Sequence, residues 1–186
     1  AVNENGYRYE GTNPNNYIQM KKTDGTTEMW RIIGLFPDGE NGEDVIRVRK
    51  VDYGNAPYDT NNTNHWPNTT LYTLLKDTYS TENYKNTVNY KMHLGTSKLY
   101  DSTYTLDNIY KMERSMLSDG SAGASANGIT TFIGSVGLMY ISDYGYAVLS
   151  SDCNRSITVS NYNETSSCYN KNWLFKTYNV QLLITP

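Results

Sequence analysis

Histidine and cysteine are nearly missing from this chain. Two of each, His65 and His93, Cys153 and Cys168, occur in 186 residues. Neither histidine sits with a serine or cysteine nucleophile and an orienting carboxylate, the arrangement that base-assisted nucleophilic catalysis needs. No Gly-x-Ser-x-Gly elbow is present. Neither cysteine belongs to a Cys-x-x-Cys pair and no histidine lies near them, so no metal site is expected. The sequence offers no catalytic residue and no cofactor motif, and an enzyme is not the expected reading. Basic runs are also lacking: 16 Lys and Arg face 19 Asp and Glu, a net charge of −3. That leaves no electrostatic footprint for nucleic acid or an anionic membrane. The longest mostly apolar stretches, Met29 to Phe36, Phe132 to Ile141 and Val180 to Ile184, fall well short of the roughly 20 residues of a membrane-spanning helix. No insertion of this segment into a membrane is expected. The chain opens at Ala1 with no signal peptide, which reads as a mature or trimmed ectodomain.

What is abundant is equally telling. Asn (22), Thr (21), Tyr (18) and Ser (15) fill 76 positions. Tyrosine supplies large, stiff, amphipathic contact area, and asparagine and serine supply adaptable hydrogen bonds, the mixture that antibody paratopes use. The composition points to binding or scaffolding at an extracellular or cell surface. Asn61, Asn68, Asn154 and Asn163 open Asn-x-Ser/Thr sequons; in so Asn- and Thr-rich a chain these are read as composition.

Cys153 and Cys168 flank a polar stretch without helical or strand periodicity. Two readings exist, a disulfide or two unrelated buried thiols. The disulfide is favoured because the enclosed segment cannot hold itself by burial, and it implies an oxidising compartment. Closing such a loop is worth about 3 kcal/mol in the chain-entropy model.

Along the chain, Tyr7 to Thr12 reads as a lead-in strand. Tyr17 to Met20 alternates, Asp24-Gly25 marks a hairpin, and Glu28 to Phe36 returns with an apolar character that predicts burial on both faces. A second turn, Pro37 to Gly42, leads to Val45–Val51, which alternates with Val45, and Val48 or Ile46, inward. Residues 17–51 are thus an expected three-stranded antiparallel meander. Pro67 precedes a helix carrying Leu71, Leu74 and Leu75 at helical spacing, with Asn68 or Thr69 as cap. A second helix is expected over 105–113. Phe132 to Tyr140 reads as a core strand, followed by a helical turn at 142–147 capped by Ser142 or Asp143. Asn172 to Phe175 and Val180 to Ile184 read as further strands. Strands, then helices, then strands make an α+β fold, and no linker divides residues 1–186, so one domain is expected.

Several segments, in order, carry a resemblance: Tyr9-Glu10-Gly11-Thr12-Asn13-Pro14-Asn15-Asn16-Tyr17, Glu28-Met29-Trp30-Arg31-Ile32-Ile33-Gly34, Val136-Gly137-Leu138-Met139-Tyr140, Ser142 to Ala147, Asn172-Trp173-Leu174 and Leu183-Ile184-Thr185-Pro186. The set resembles exported proteins of gut Firmicutes that look like members of the C-type-lectin-like superfamily, which includes formylglycine-generating-enzyme-like domains; some carry pilin-like N-termini. The resemblance implies a C-type-lectin-like domain whose last strands, beyond Pro186, are missing, leaving a sheet edge near Leu182–Pro186 for a neighbouring subunit to complete. It does not imply the enzymes' activity, whose reactive cysteine pair has no counterpart here, because fold does not fix function. Calcium-dependent sugar binding is not implied, since the lectin signatures are absent.

The function expected is a bacterial surface binding or adhesion module contacting a protein or glycan; the alternative is a structural subunit of a pilus or other extracellular assembly. Contact residues are sought among loop aromatics: Tyr53, Tyr58, Tyr79, Tyr84, Tyr100 and Trp66. Trp66 has two readings, an exposed stacking anchor or a plug at the core end of the first helix. Trp30 and Trp173 are expected in the core. Glu40, Glu43 and Asp44 cluster in a Gly-rich turn and are read as solvated.

Overall fold

The computed structural model describes residues 7–51, 56–94, 103–113 and 130–175. They form an α+β structure with antiparallel strands in two sheets and short helices. The chain divides into two compact units whose segments interleave: Ala1–Tyr7, Asn15–Met92 and Thr131–Gly137 form the first, and Arg8–Pro14, His93–Thr130 and Leu138–Pro186 the second. Because the segments alternate along the chain, no single linker marks a boundary in the sequence.

The first unit is built on strand β3 (Thr27–Phe36). Strands β1 (Tyr7–Arg8), β2 (Tyr17–Lys21) and β4 (Val45–Lys50) all pair with it. The expected meander is present, with β2 and β4 antiparallel to β3. The lead-in strand is shorter than expected and stops at Arg8. At the hairpin only Gly25 takes a positive φ, 88°. Asp24 instead accepts hydrogen bonds from the backbone N–H and hydroxyl of Thr26 at 2.8 and 2.5 Å, an Asx-type turn. Burial on both faces of β3 holds only toward its end, where Ile33, Gly34 and Phe36 are buried; Met29 is exposed. Gly34 is required there, since a Cβ would lie 2.3 Å from the Tyr7 carbonyl oxygen. In β4 the inward residues are Val45 and Arg47, whereas Ile46 is exposed. The Arg47 guanidinium lies 3.6 Å from the centroid of the Phe36 ring and 3.9 Å from the Asp38 carboxylate. Cation–π contact and an ion pair offset its desolvation.

Beyond the meander, a 3-10 turn (Trp66–Asn68) leads into helix α1 (Thr70–Thr78). Thr69 is the cap: its buried hydroxyl accepts from Tyr72 N–H at 3.0 Å and donates to Trp66 O at 2.9 Å. Replacing Thr69 with Ala should therefore lower stability by about 1–2 kcal/mol, and Thr69→Ser should recover most of it. Chemical denaturation of the three proteins checks this. Leu71 and Leu75 of α1 are half-buried, and Leu74 is exposed. A two-stranded sheet pairs β5 (Tyr90–Leu94) with β6 (Thr130–Gly134). His93 lies in β5. The expected strand 132–140 ends at Gly134. Three residues on, the chain is closely packed: a Cβ on Gly137 would meet Tyr90 Oη at 2.4 Å and Met92 Sδ at 2.6 Å.

The second unit packs helix α2 (Leu106–Glu113) with α3 (Ile141–Gly145). Leu106, Ile109 and Tyr110 of α2 are buried, as their spacing predicts. Tyr140, and not Ser142 or Asp143, is the N-cap of α3, and its N–H donates to the Asp143 carboxylate at 3.0 Å. Asp143 thus satisfies the helix start from inside its first turn and is not itself the N-cap. Cys153 and Cys168 form a disulfide with Cα atoms 4.8 Å apart. Its loop contains two single-turn helices, α4 (Val159–Tyr162) and α5 (Ser166–Tyr169). The loop is tied to the start of α2 by Leu106 N–H to Ile157 O and Val159 N–H to Tyr104 O. Residues 172–175 are a turn, not the expected strand. The Asn172 amide donates to Tyr144 O and Tyr162 Oη, and its oxygen accepts from Leu174 N–H. Such side-chain bonds to nearby backbone compete with a sheet ladder. Residues 180–184 lie outside the described residues.

The buried polar centre of this unit is Arg8. Its guanidinium is 2.6 Å from the Asp143 carboxylate, with side-chain exposures of 4% and 0%. It also lies 5.6 and 5.3 Å from the Tyr110 and Tyr146 ring centroids. Tyr146 carries Arg155 at 4.4 Å and donates its hydroxyl to Asp107 at 2.5 Å. Burial, then that hydrogen bond, pushes the Tyr146 hydroxyl well above the usual tyrosine range. Glu113, also buried, accepts from Ser142 N–H in the first turn of α3.

Candidate functional site

Among the described residues, the expected contact aromatics are not brought together as an exposed cluster. Trp66 is buried, 1% exposed, with Tyr72 edge-on at 5.5 Å and Tyr58 tilted at 6.3 Å. Of its two readings the structure holds the plug, and the stacking anchor is corrected. Tyr84 is likewise buried: its ring meets Trp30 edge-on at 6.0 Å, and its hydroxyl donates to Glu28 at 2.5 Å. Its loop-like sequence concealed this, because the partner lies 56 residues away. Tyr79 is half-buried against Trp30 at 5.3 Å, and Tyr58 is half-buried with its hydroxyl on Asn64 O. Tyr53 and Tyr100 lie outside the described residues. Trp30 and Trp173 are in the core, as expected. The acidic turn at Glu40, Glu43 and Asp44 is exposed.

Exposed aromatic and apolar surface gathers instead on one face of the β2–β3–β4 sheet. Residues directly opposite on paired strands share a face. Tyr17 pairs with Arg31 and Arg31 with Arg49, forming one row across three strands. Gln19 pairs with Met29, and Lys21 with Thr27, in the rows beside it. Tyr17 is 51% and Met29 44% exposed; Gln19, Lys21 and Thr27 are exposed as well, and Arg31 and Arg49 half-buried.

The local sequence builds this face by strict alternation. In β2, positions 17, 19 and 21 point out while 18 and 20 are half-buried. The same pattern in β3 puts Met29 out and Trp30 in. Arg31 is held on two sides. Its Nε donates to Asn16 Oδ1 at 2.8 Å, and its guanidinium carbon lies 4.6 Å from the Tyr17 ring centroid. Asn16 is itself buried and fixed by donating to Ile32 O at 2.7 Å. Partial burial lowers the Arg31 pKa from its ordinary value, and Tyr17 opposes the shift. Gln19 donates to the Thr27 hydroxyl at 3.1 Å, which sets the amide in place.

Charge is divided between the two faces. Glu28 is the sole carboxylate among the residues of β2, β3 and β4. It belongs to the opposite face, where it is 3.1 Å from Lys50 and receives the Tyr84 hydroxyl. The Tyr84 bond is the main cause holding the Glu28 carboxyl below the usual range. Lys21, Arg31 and Arg49 therefore occupy a face whose strand residues carry no negative charge. The Arg31 guanidinium is thus a planar cation held by a hydrogen bond and an aromatic ring, beside exposed apolar and amide side chains.

Loop composition drew the sequence reading away from this face. The usable signal was the period-2 pattern of Tyr17, Gln19 and Lys21 against Thr27, Met29 and Arg31. Among the described residues no three His, Cys, Asp or Glu side chains gather to hold a metal ion, and no helix is long and apolar enough to cross a membrane. No protein-family model, curated protein or solved structure matches this chain.

Proposed function

We propose that this chain is an extracellular binding module of a bacterial surface, and that the Tyr17–Arg31–Arg49 face of its first unit makes the contact. One observation carries the reading. An exposed tyrosine and an exposed methionine flank an arginine that two neighbours hold in position. Clustered exposed aromatic and apolar side chains with a fixed arginine are the usual anchors of recognition surfaces. The Cys153–Cys168 disulfide supports an oxidising compartment, and the Asn- and Tyr-rich composition fits contact work. The C-type-lectin-like resemblance belongs to the same proposal, as a scaffold that presents ligand surfaces.

The test is the mass of the purified protein by light scattering, followed by protein and glycan arrays. A single species near 21.1 kDa that binds an array component, and loses binding on Tyr17→Ala with Met29→Ser, is the expected result. A concentration-dependent ladder of self-assembled sizes without array binding would replace this reading with the structural subunit.

A further inference from the structure

Resting on the binding reading above, we infer that the free edge of β2 takes an extended peptide segment of a protein ligand as an added antiparallel strand, with an acidic residue opposite Lys21. Hydrogen-bond parity defines the edge. Ile32 N–H donates to Asn16 O and Lys22 N–H to Thr26 O, each at 2.8 Å. In an antiparallel pair, alternate residues exchange their backbone bonds with the residue opposite. Ile18 and Met20 therefore bond toward Trp30 and Glu28, and the N–H and C=O groups of Tyr17, Gln19 and Lys21 point away from β3. β2 is the end strand of its sheet. Those outward groups have no backbone partner among the described residues.

The next outward position shows what this edge accepts. Thr23 N–H donates to Asn83 O at 2.9 Å, and the Thr23 hydroxyl donates to Glu82 O at 2.6 Å. There the segment after α1 already covers the edge with backbone carbonyls. The cover stops at Thr23, and Tyr17 to Lys21 leave roughly 14 Å of edge open. Its donor and acceptor pairs recur at every second residue, about 6.8 Å apart. Another extended polypeptide matches that repeat and those groups. A sugar chain carries hydroxyls, without the paired N–H and C=O that each edge residue needs.

Side chains set the chemistry of the added strand. Tyr17, Gln19 and Lys21 are exposed on the contact face, and Ile18 and Met20 are half-buried on the other. Lys21 has no ion-pair partner among the described residues. The carboxylate of Glu28 lies on the opposite face beside Lys50. A strand antiparallel to β2 meets Lys21, then Met20, Gln19, Ile18 and Tyr17. The complementary order is acidic, apolar, polar, apolar and β-branched. Lysine on an edge deters indiscriminate pairing, and here it selects an acidic opposite.

The experiment is an amide NMR titration of isotope-labelled protein with the end-blocked peptide Glu-Val-Thr-Val-Thr. Its glutamate aligns with Lys21 and its last threonine with Tyr17. In the free protein the amides of Tyr17, Gln19 and Lys21 should exchange with solvent faster than those of Ile18 and Met20. The probe should slow that exchange and shift the same signals. N-methylation of the central threonine, whose N–H faces β2, should weaken binding roughly tenfold or more. N-methylation of the first valine, whose N–H faces away, should leave binding near that of the parent peptide. Lys21→Glu should weaken binding about threefold or more and prefer Lys-Val-Thr-Val-Thr. Thermal melts check that the variant is folded, and the two N-methyl peptides carry the test with the protein unchanged.

Equal binding of the two N-methyl peptides would overturn the inference, as would indifference to the glutamate–lysine exchange. Slow exchange at Tyr17, Gln19 and Lys21 in the free protein would show the edge already covered. Shifts at these residues that grow with protein concentration, without probe binding, would put a second copy there instead. Failure of the probe with a protein that binds a glycan through Tyr17 and Met29 would overturn strand addition and leave the binding reading standing. Failure on probe and arrays alike would remove both.

Discussion

Asp143→Ala should destabilise the second unit by about 3–5 kcal/mol, the range for breaking a buried ion pair from one side. Asp143 is fully buried and sits 2.6 Å from Arg8, a partner 135 residues away in sequence. The substitution removes the carboxylate opposite a guanidinium that is 4% exposed, and it also removes the acceptor for Tyr140 N–H at the start of α3. The reverse change, Arg8→Met, strands a buried carboxylate and should be comparably harmful. Combining Arg8→Met with Asp143→Leu should be far less harmful than the two single effects added together, because no uncompensated charge remains. Urea denaturation of the two singles and the double closes the cycle. Strict additivity would show that the pair is not coupled.

The second large effect is loss of the disulfide. Replacing both Cys153 and Cys168 with Ala should cost about 2–5 kcal/mol. The bridge closes a separation of 15 residues, over which the secondary structure consists of two single-turn helices. Both sulfurs lie in the unit's core cluster with Leu106, Tyr110, Tyr146, Val148 and Tyr162, so the alanines also leave unfilled volume. Burial to 2% and 1% exposure shields the bond from reductant. Native protein should therefore react slowly with dithiothreitol and quickly once urea opens the unit. Equal rates in both conditions, measured by thiol alkylation and mass spectrometry, would mean that the bridge does not report on the core.

A smaller, pH-dependent effect belongs to the first unit. Asp59 accepts from the backbone N–H groups of Asn61, Thr63 and Thr70 and from the Thr70 hydroxyl. Those bonds, led by Thr63, hold its pKa near 2 against an ordinary 3.8. A depressed carboxyl contributes fully above its unfolded value and loses that contribution as pH falls through the folded one. Stability should decline between about pH 4 and pH 2, and Asp59→Asn should flatten this limb in a series of acid melts. An unchanged limb would show that other carboxyls set it.

How much of this could be read in advance depended on how local each cause was. The meander of β2, β3 and β4 followed from alternation within each strand and from the Asp24-Gly25 turn. Helix α1 followed from Thr69 and its leucine spacing, and α2 from Leu106, Ile109 and Tyr110. Each of those signals lies within a few residues of the element it specifies. The proposed contact face was half-legible: alternation exposes Tyr17 and Met29, but only register puts Arg31 between Tyr17 and Arg49. Tyr84 and Trp66 read as loop aromatics because nothing nearby in sequence announces the rings that bury them.

The sequence by itself determined an α+β chain, its antiparallel meander and its two main helices, and favoured the pairing of its only cysteines. These follow from periodicity, capping and the small number of possible partners. Tertiary structure alone decided that Tyr84 and Trp66 are buried, that 172–175 turns rather than extends, and that Arg8 and Asp143 meet. Those outcomes depend on desolvation and on partners far apart in the chain, and no local propensity encodes either.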